Sequence, residues 1–191
     1  MRCLLLCFIV TLSVSWAEEP WFLLPEPKFM ANEIAWAISG SSQTVALPVR
    51  VVGEDIKALT LAAVSKSPLR LDEILEAARA NASALLATVK PTLVRDDRGV
   101  IRYAVLQSDD PHFAACVFAP EFGDLFLETI GPDALIAIPN RNRIYIFPRS
   151  SVPGAEISEQ VFIDYRSTNY PVSREVFESR EGILTAVGSL R

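Results

Sequence analysis

Histidine and cysteine are scarce in this sequence, and their scarcity removes whole classes of chemistry. Of the 191 residues one is histidine, His112, and three are cysteine; Cys3 and Cys7 stand near the start, and Cys116 alone lies in the body of the chain. With one histidine and one cysteine in the body of the chain, a four-ligand zinc site would have to recruit two or more carboxylates, and no spacing asks for that. The chain also has no Gly-x-Ser-x-Gly elbow, glycine-rich phosphate loop, His-Glu-x-x-His helix or dinucleotide fingerprint. Neither a metal nor a cofactor is expected.

An excess of positive charge is missing too. With 18 basic and 23 acidic residues the formal charge is −5, and neither sign forms a long run. Affinity for nucleic acid or an anionic membrane surface is built from clustered Lys and Arg, so nucleic acid is not an expected partner. The opening stretch, MRCLLLCFIVTLSVSWA, has one basic residue, an apolar run from Leu4 to Val14, and small residues at Ser15 and Ala17. That pattern reads as a secretory signal peptide over 1–17, because the apolar run falls short of the roughly 20 residues a spanning helix needs. Cleavage would leave a single domain over 18–191, secreted or periplasmic, without an integral membrane segment. Its lone thiol, Cys116, could form no internal disulfide, and a domain of this size can fold on its core alone.

The pattern along 18–191 is that of an α+β domain, antiparallel hairpins packed against about three helices. Three prolines between Glu18 and Pro27 predict an extended start. Phe29, Met30, Ile34, Ala37 and Ile38 recur at helical spacing, predicting a short helix from Lys28 to Ile38 that Gly40 stops. Thr44 to Val52 alternates as a strand; the run from Ile56 to Val64 fits strand or helix and is read as a strand paired with it. Leu71 to Val89 steps by three and four with acids in its first turns, a clear amphipathic helix. Asp96-Asp97-Arg98-Gly99 joins strands at Thr92–Arg95 and Val100–Gln107. Phe113 to Ile130 predicts a helix interrupted near Pro120. Strands on either side of Asn140-Arg141-Asn142 follow, then a helix through Ile157, Val161, Phe162 and Tyr165, a helical turn at Ser173–Phe177, and a last strand at Gly182–Val187.

Two groups of residues stand out as candidate sites. His112 and Cys116 are four apart, which places them on one helical face, and a thiol beside an imidazole is the start of a nucleophilic site. Against that, Cys116 is embedded in an apolar run, and free cysteine is among the most buried residue types. The tip Asn140-Arg141-Asn142-Arg143 offers two guanidinium forks suited to a carboxylate, a phosphate or a partner backbone. Asn is equally a standard turn residue, and charged turns commonly face water. Asp96-Asp97 and Asp109-Asp110 are carboxylate pairs, both in predicted turns. Asn81-Ala82-Ser83 matches the glycosylation triplet but falls within the predicted helix.

The order of the second half is a compact apolar hairpin, LIAIPNRNRIYIFP, then a helix, then Tyr170-Pro171-Val172-Ser173 leading to Val176-Phe177 and a glycine-containing strand. It resembles the YtpQ-like (DUF1444) family of uncharacterised bacterial proteins. The resemblance implies the same kind of fold and a bacterial origin, and it carries no catalytic residues. The family pattern places an Arg-Asp pair after the proline; here Arg141 precedes Asn142, so no role that needs the carboxylate transfers. The expectation is an exported protein that binds another protein or an envelope component without enzymatic activity. The alternative is a hydrolase-like enzyme whose site is assembled from scattered residues such as His112, Cys116 and the paired aspartates.

Overall fold

A computed structural model describes residues 20–53, 55–67, 69–150 and 155–190. Among these described residues, ten strands form two antiparallel sheets. In the smaller sheet β1 (Trp21–Pro27) pairs along one edge of β3 (Thr44–Val52), while β2 (Trp36–Ala37) and β4 (Asp55–Ala58) pair with the other edge. The larger sheet runs β10 (Ile183–Ser189), β9 (Glu175–Arg180), β7 (Ala134–Asn140), β8 (Arg143–Pro148), β6 (Ile101–Gln107), β5 (Thr92–Arg95). The α-helices among the described residues are a short α1 (Leu61–Val64), α2 (Leu71–Ala87) and α3 (Ala155–Arg166). The α+β expectation is met.

The β7–β8 hairpin is the centre of the molecule, and its unbroken apolar sequence has a physical cause. Ile136, Ile138, Ile144 and Ile146 face the main core, which joins the larger sheet to α2, to the Phe113–Phe118 segment, and to Leu23 and Ala46 of the smaller sheet. The alternate residues Leu135, Ala137, Tyr145 and Phe147 face Ile157 and Val161 of α3. Both faces of this hairpin are covered, so both registers of the alternation are apolar.

Several local expectations are corrected. Lys28–Ile38 is not a helix: only Lys28–Met30 makes a 3-10 turn, and Trp36 and Ala37 pair with Ala46 and Val45 of β3. Asn32 competes with the helix by bonding the backbone, Nδ2 donating to Leu59 O at 2.6 Å and Oδ1 accepting from Ile34 N at 3.2 Å. Phe29 is left 81% exposed. The run Ile56–Val64 divides, its first part in β4 and its last in α1, whose first turn Thr60 caps by accepting from Ala63 N.

Phe113–Ile130 forms no α-helix. Phe113–Phe118 and Asp124–Phe126 are 3-10 segments, and every residue of the first is buried. Pro111 and Pro120 bracket too few residues to repay α-helix nucleation, and Pro120 holds Ala119 extended. Ser173–Phe177 is likewise not helical: Glu175 begins β9, which pairs with both β7 and β10. Glu181 and Gly182, with φ of 51° and 72°, turn β9 into β10. Two left-handed residues in a two-residue loop match the twist of the strands they join.

Candidate functional site

All four residues of the β7–β8 tip are engaged inside the domain. Arg141 Nε donates to Glu26 Oε1 at 2.6 Å, its guanidinium lies 5.0 Å from the Tyr170 ring centre, and its backbone N–H donates to Tyr170 O. Asn142 Nδ2 donates to the carbonyls of Ser108 and Asp110 at 2.9 and 3.1 Å. Buried Asn140 accepts from Asn142 N, as an Asx turn does, and donates to Asp164 O in α3. Arg143 Nη1 meets both oxygens of Asp164 at 3.1 and 3.0 Å, and its Nη2 donates to Gln107 Oε1 at 2.6 Å. The tip therefore acts as a clasp. It ties β1, the Ser108–Asp110 turn, α3 and the Tyr170 segment to the hairpin.

Asp164 is the buried anchor of that clasp. It also accepts from Tyr145 Oη at 2.5 Å, so one carboxylate satisfies an arginine and a tyrosine. Burial, and then Asp164 itself, pushes the Tyr145 hydroxyl well above its ordinary range, which keeps it a neutral donor. Glu175 anchors a second network built on hydroxyl and backbone N–H donors. Its carboxylate accepts from the Ser41 and Thr44 hydroxyls at 2.6 and 2.7 Å, from Ser42 N at 2.8 Å and from Gln43 N at 3.3 Å. Burial alone would raise its pKa, but these donors outweigh burial and hold it below the usual carboxylate range. Glu26 goes the other way: burial raises it in spite of Arg141. Sequence reading missed both glutamates, since an isolated Glu in a strand carries no local signal.

His112 precedes, and Cys116 lies within, a 3-10 segment rather than an α-helix, which removes the shared face their spacing implied. Cys116 is fully buried in the main core, and burial pushes its thiol far above the ordinary range. His112 stacks on Phe22 with ring centres 4.3 Å apart. Its Nδ1 lies 2.6 Å from Asp110 Oδ1 without a hydrogen-bond partner, and burial lowers its pKa against the pull of that carboxylate, so the contact is ionic only when the ring is protonated. Asp110 Oδ1 also accepts from His112 N, and Asp96 Oδ1 accepts from Arg98 N and Val100 N, so these aspartates hold turns. Asn81 of the glycosylation triplet donates to Trp21 O from within α2. Among the described residues no group of three or more His, Cys, Asp or Glu is placed to hold a metal ion, and no helix is long and apolar enough to cross a membrane.

What the clasp presents outward is α3. Its inner face is Ile157, Val161 and Asp164; its outer face carries Phe162 and Ile163, 40% and 48% exposed, beside exposed Glu159 and Arg166. The Arg166 guanidinium lies 5.5 Å from the Phe162 ring centre, and that of Arg174 lies 5.9 Å from Phe162 and 5.8 Å from Tyr165. Beyond the helix, Tyr170 is exposed over Arg141. The consecutive pair Phe162-Ile163 is the sequence signal for this surface: one stripe cannot bury Ile157, Val161, Phe162 and Ile163 together. At the far end of the hairpin a cleft of about 460 Å³ opens over Phe122, Phe126, Ile136 and Ile146, with Asp124 and Arg180 at its edge. In comparisons with known proteins, no family model, no curated protein and no solved structure matches this chain.

Proposed function

We propose that this is an exported, non-enzymatic interaction domain that meets a protein partner outside the cytoplasm through the outer face of α3. The single observation behind this reading is the outward pair Phe162-Ile163 with two arginines gathered on the Phe162 ring. Aromatic residues and arginine are enriched where proteins meet, because they combine large contact area with directional donors. The polar groups first suspected of chemistry are committed elsewhere: the tip to its clasp, Cys116 to the core, and the aspartates to turns. Export rests on the 1–17 pattern, and the resemblance to YtpQ-like proteins adds no residue role.

The test is a photo-crosslinking side chain placed at Ile163 and, as control, at exposed Val100 on the β5–β6 hairpin, in the full chain exposed to its native envelope fraction. A discrete adduct from position 163, absent from position 100 and lost on Phe162→Asp, is the expected result. Identical patterns from both positions would remove α3 as the contact face.

A further inference from the structure

We infer that Arg166 and Arg174 together form a receptor for a carboxylate, and that the partner meets α3 through an acidic segment that also carries an apolar side chain. This rests on the reading of α3 as the contact face. Both guanidinium groups lie within about 6 Å of the Phe162 ring centre, the range of a cation–π contact. Such a contact uses the charge of a guanidinium and leaves its N–H donors unmatched.

Among the described residues the fold supplies no carboxylate for them. Arg141, Arg143 and Arg149 each have a carboxylate partner, Glu26, Asp164 and Glu178 respectively. Neither Arg166 nor Arg174 has one among the described residues, although acids outnumber bases in the chain. The Nε of Arg174 is buried and has no hydrogen-bond partner there either. Buried donors are matched in the great majority of native positions, so this one marks a place where an acceptor belongs. The crevice beside it, lined by Ser158, Val161, Phe162, Arg174 and Leu190, holds only about 10 Å³, room for at most one water. One water there can match Nε, and a ligand would meet the two guanidinium groups from outside, across the exposed face of Phe162.

Three features favour an acidic protein segment over other anions. Guanidinium is a planar fork that matches the two oxygens of a carboxylate. Phe162 and Ile163 offer apolar contact that a free phosphate cannot use. An anionic bilayer is held by clusters of several basic residues, whereas this face carries the two arginines beside exposed Glu159.

The experiment follows the arginine Nε–H resonances of the folded protein by 1H–15N NMR. The titrants are acetyl-Asp-Phe-Asp-amide, its neutral counterpart acetyl-Asn-Phe-Asn-amide, and inorganic phosphate. Saturable shifts of Arg166 and Arg174 are expected with the acidic peptide at on the order of millimolar concentration, at least about tenfold weaker with the neutral one, and diminished in Arg174→Gln. Arg166→Gln, at an exposed position, gives the same reading if the first variant does not fold. Silence of both resonances, or equal shifts from both peptides, overturns the carboxylate receptor; equal response to phosphate overturns the acidic segment. The Ile163 crosslink is read separately. An adduct with silent arginines keeps α3 as the contact face and removes this inference, and a peptide response without an adduct does the reverse.

Discussion

Arg141 and Glu26 stand 115 positions apart in the chain and form a buried ion pair, Nε to Oε1 at 2.6 Å. The pair fastens the tip of the β7–β8 hairpin to the end of β1 and so joins the two sheets. Removing one partner leaves a charge in a place with no water to solvate it.

Arg141→Ala is therefore a stability variant. It is expected to cost about 3–5 kcal/mol, the usual penalty for orphaning one member of a buried pair. Arg141→Met combined with Glu26→Leu should recover most of that loss, because no charge is then stranded. Urea unfolding midpoints of the single and double variants check both statements. A single variant as stable as the parent would mean that water reaches Glu26.

Glu175 and Glu26 predict opposite responses to pH. The folded state holds a proton on Glu175 less readily than the unfolded chain does, since its pKa is lowered from an ordinary 4.5 by the Ser41, Ser42, Thr44 and Gln43 donors acting against burial. Its contribution is complete above 4.5 and is lost as pH falls through the lower folded value. Glu26, raised by burial, holds its proton more readily when folded, so its share of stability declines as pH rises from 4.5 through the raised value. Glu175→Gln should flatten the acid limb below 4.5, and Glu26→Gln the slope just above it, in unfolding measured across pH. A Glu175→Gln protein that keeps the parent's full acid limb would contradict the first.

Gly182→Ala should be among the most damaging small substitutions. A Cβ there would press on the carbonyl oxygen of Phe118, and φ is 72°. Gly53 has a similar φ of 63° but nothing near its missing side chain. Gly53→Ala is thus expected to cost only the left-handed penalty of about 1–2 kcal/mol, and Gly182→Ala clearly more. Thermal midpoints of the two variants decide it; equal losses would show that the loop moves away from Phe118 freely.

Cys116 should be silent towards a thiol reagent in the native protein. Its Sγ is buried and its pKa is raised by that burial, so reaction must wait for unfolding. The rate of modification by a disulfide reagent should rise with urea in step with the unfolded fraction. A fast native reaction at neutral pH would instead place the thiol at the surface.

Legibility in the sequence followed how local the cause was. The hairpin strands and α2 were readable because alternation and three-four stepping are imposed on neighbouring residues. Lys28–Ile38 has the same stepping, yet Asn32 and the pairing of Trp36 with Ala46 override it. Phe113–Phe118 is apolar throughout, so no period existed to read, and the two prolines decided its form. Around the tip, Asn140 ends β7 and accepts from Asn142 N, a local bond that its type suggests, but its neighbours' partners, Glu26, Asp164 and Tyr170, come from three distant segments.

Fold class, the strands of the central hairpin and the shortage of metal-binding and nucleophilic side chains follow from composition and near-neighbour pattern, where short-range sterics and the separation of apolar from polar residues act. Which arginines pair with a carboxylate inside the domain does not. Arg141 and Arg143 lie in the most conspicuous polar stretch of the chain and are consumed by Glu26 and Asp164, whereas the unremarkable Arg166 and Arg174 meet over Phe162 with no carboxylate among the described residues. An ion pair forms wherever packing brings a charge within a few ångströms and removes its water, and only the folded arrangement of distant segments sets those distances.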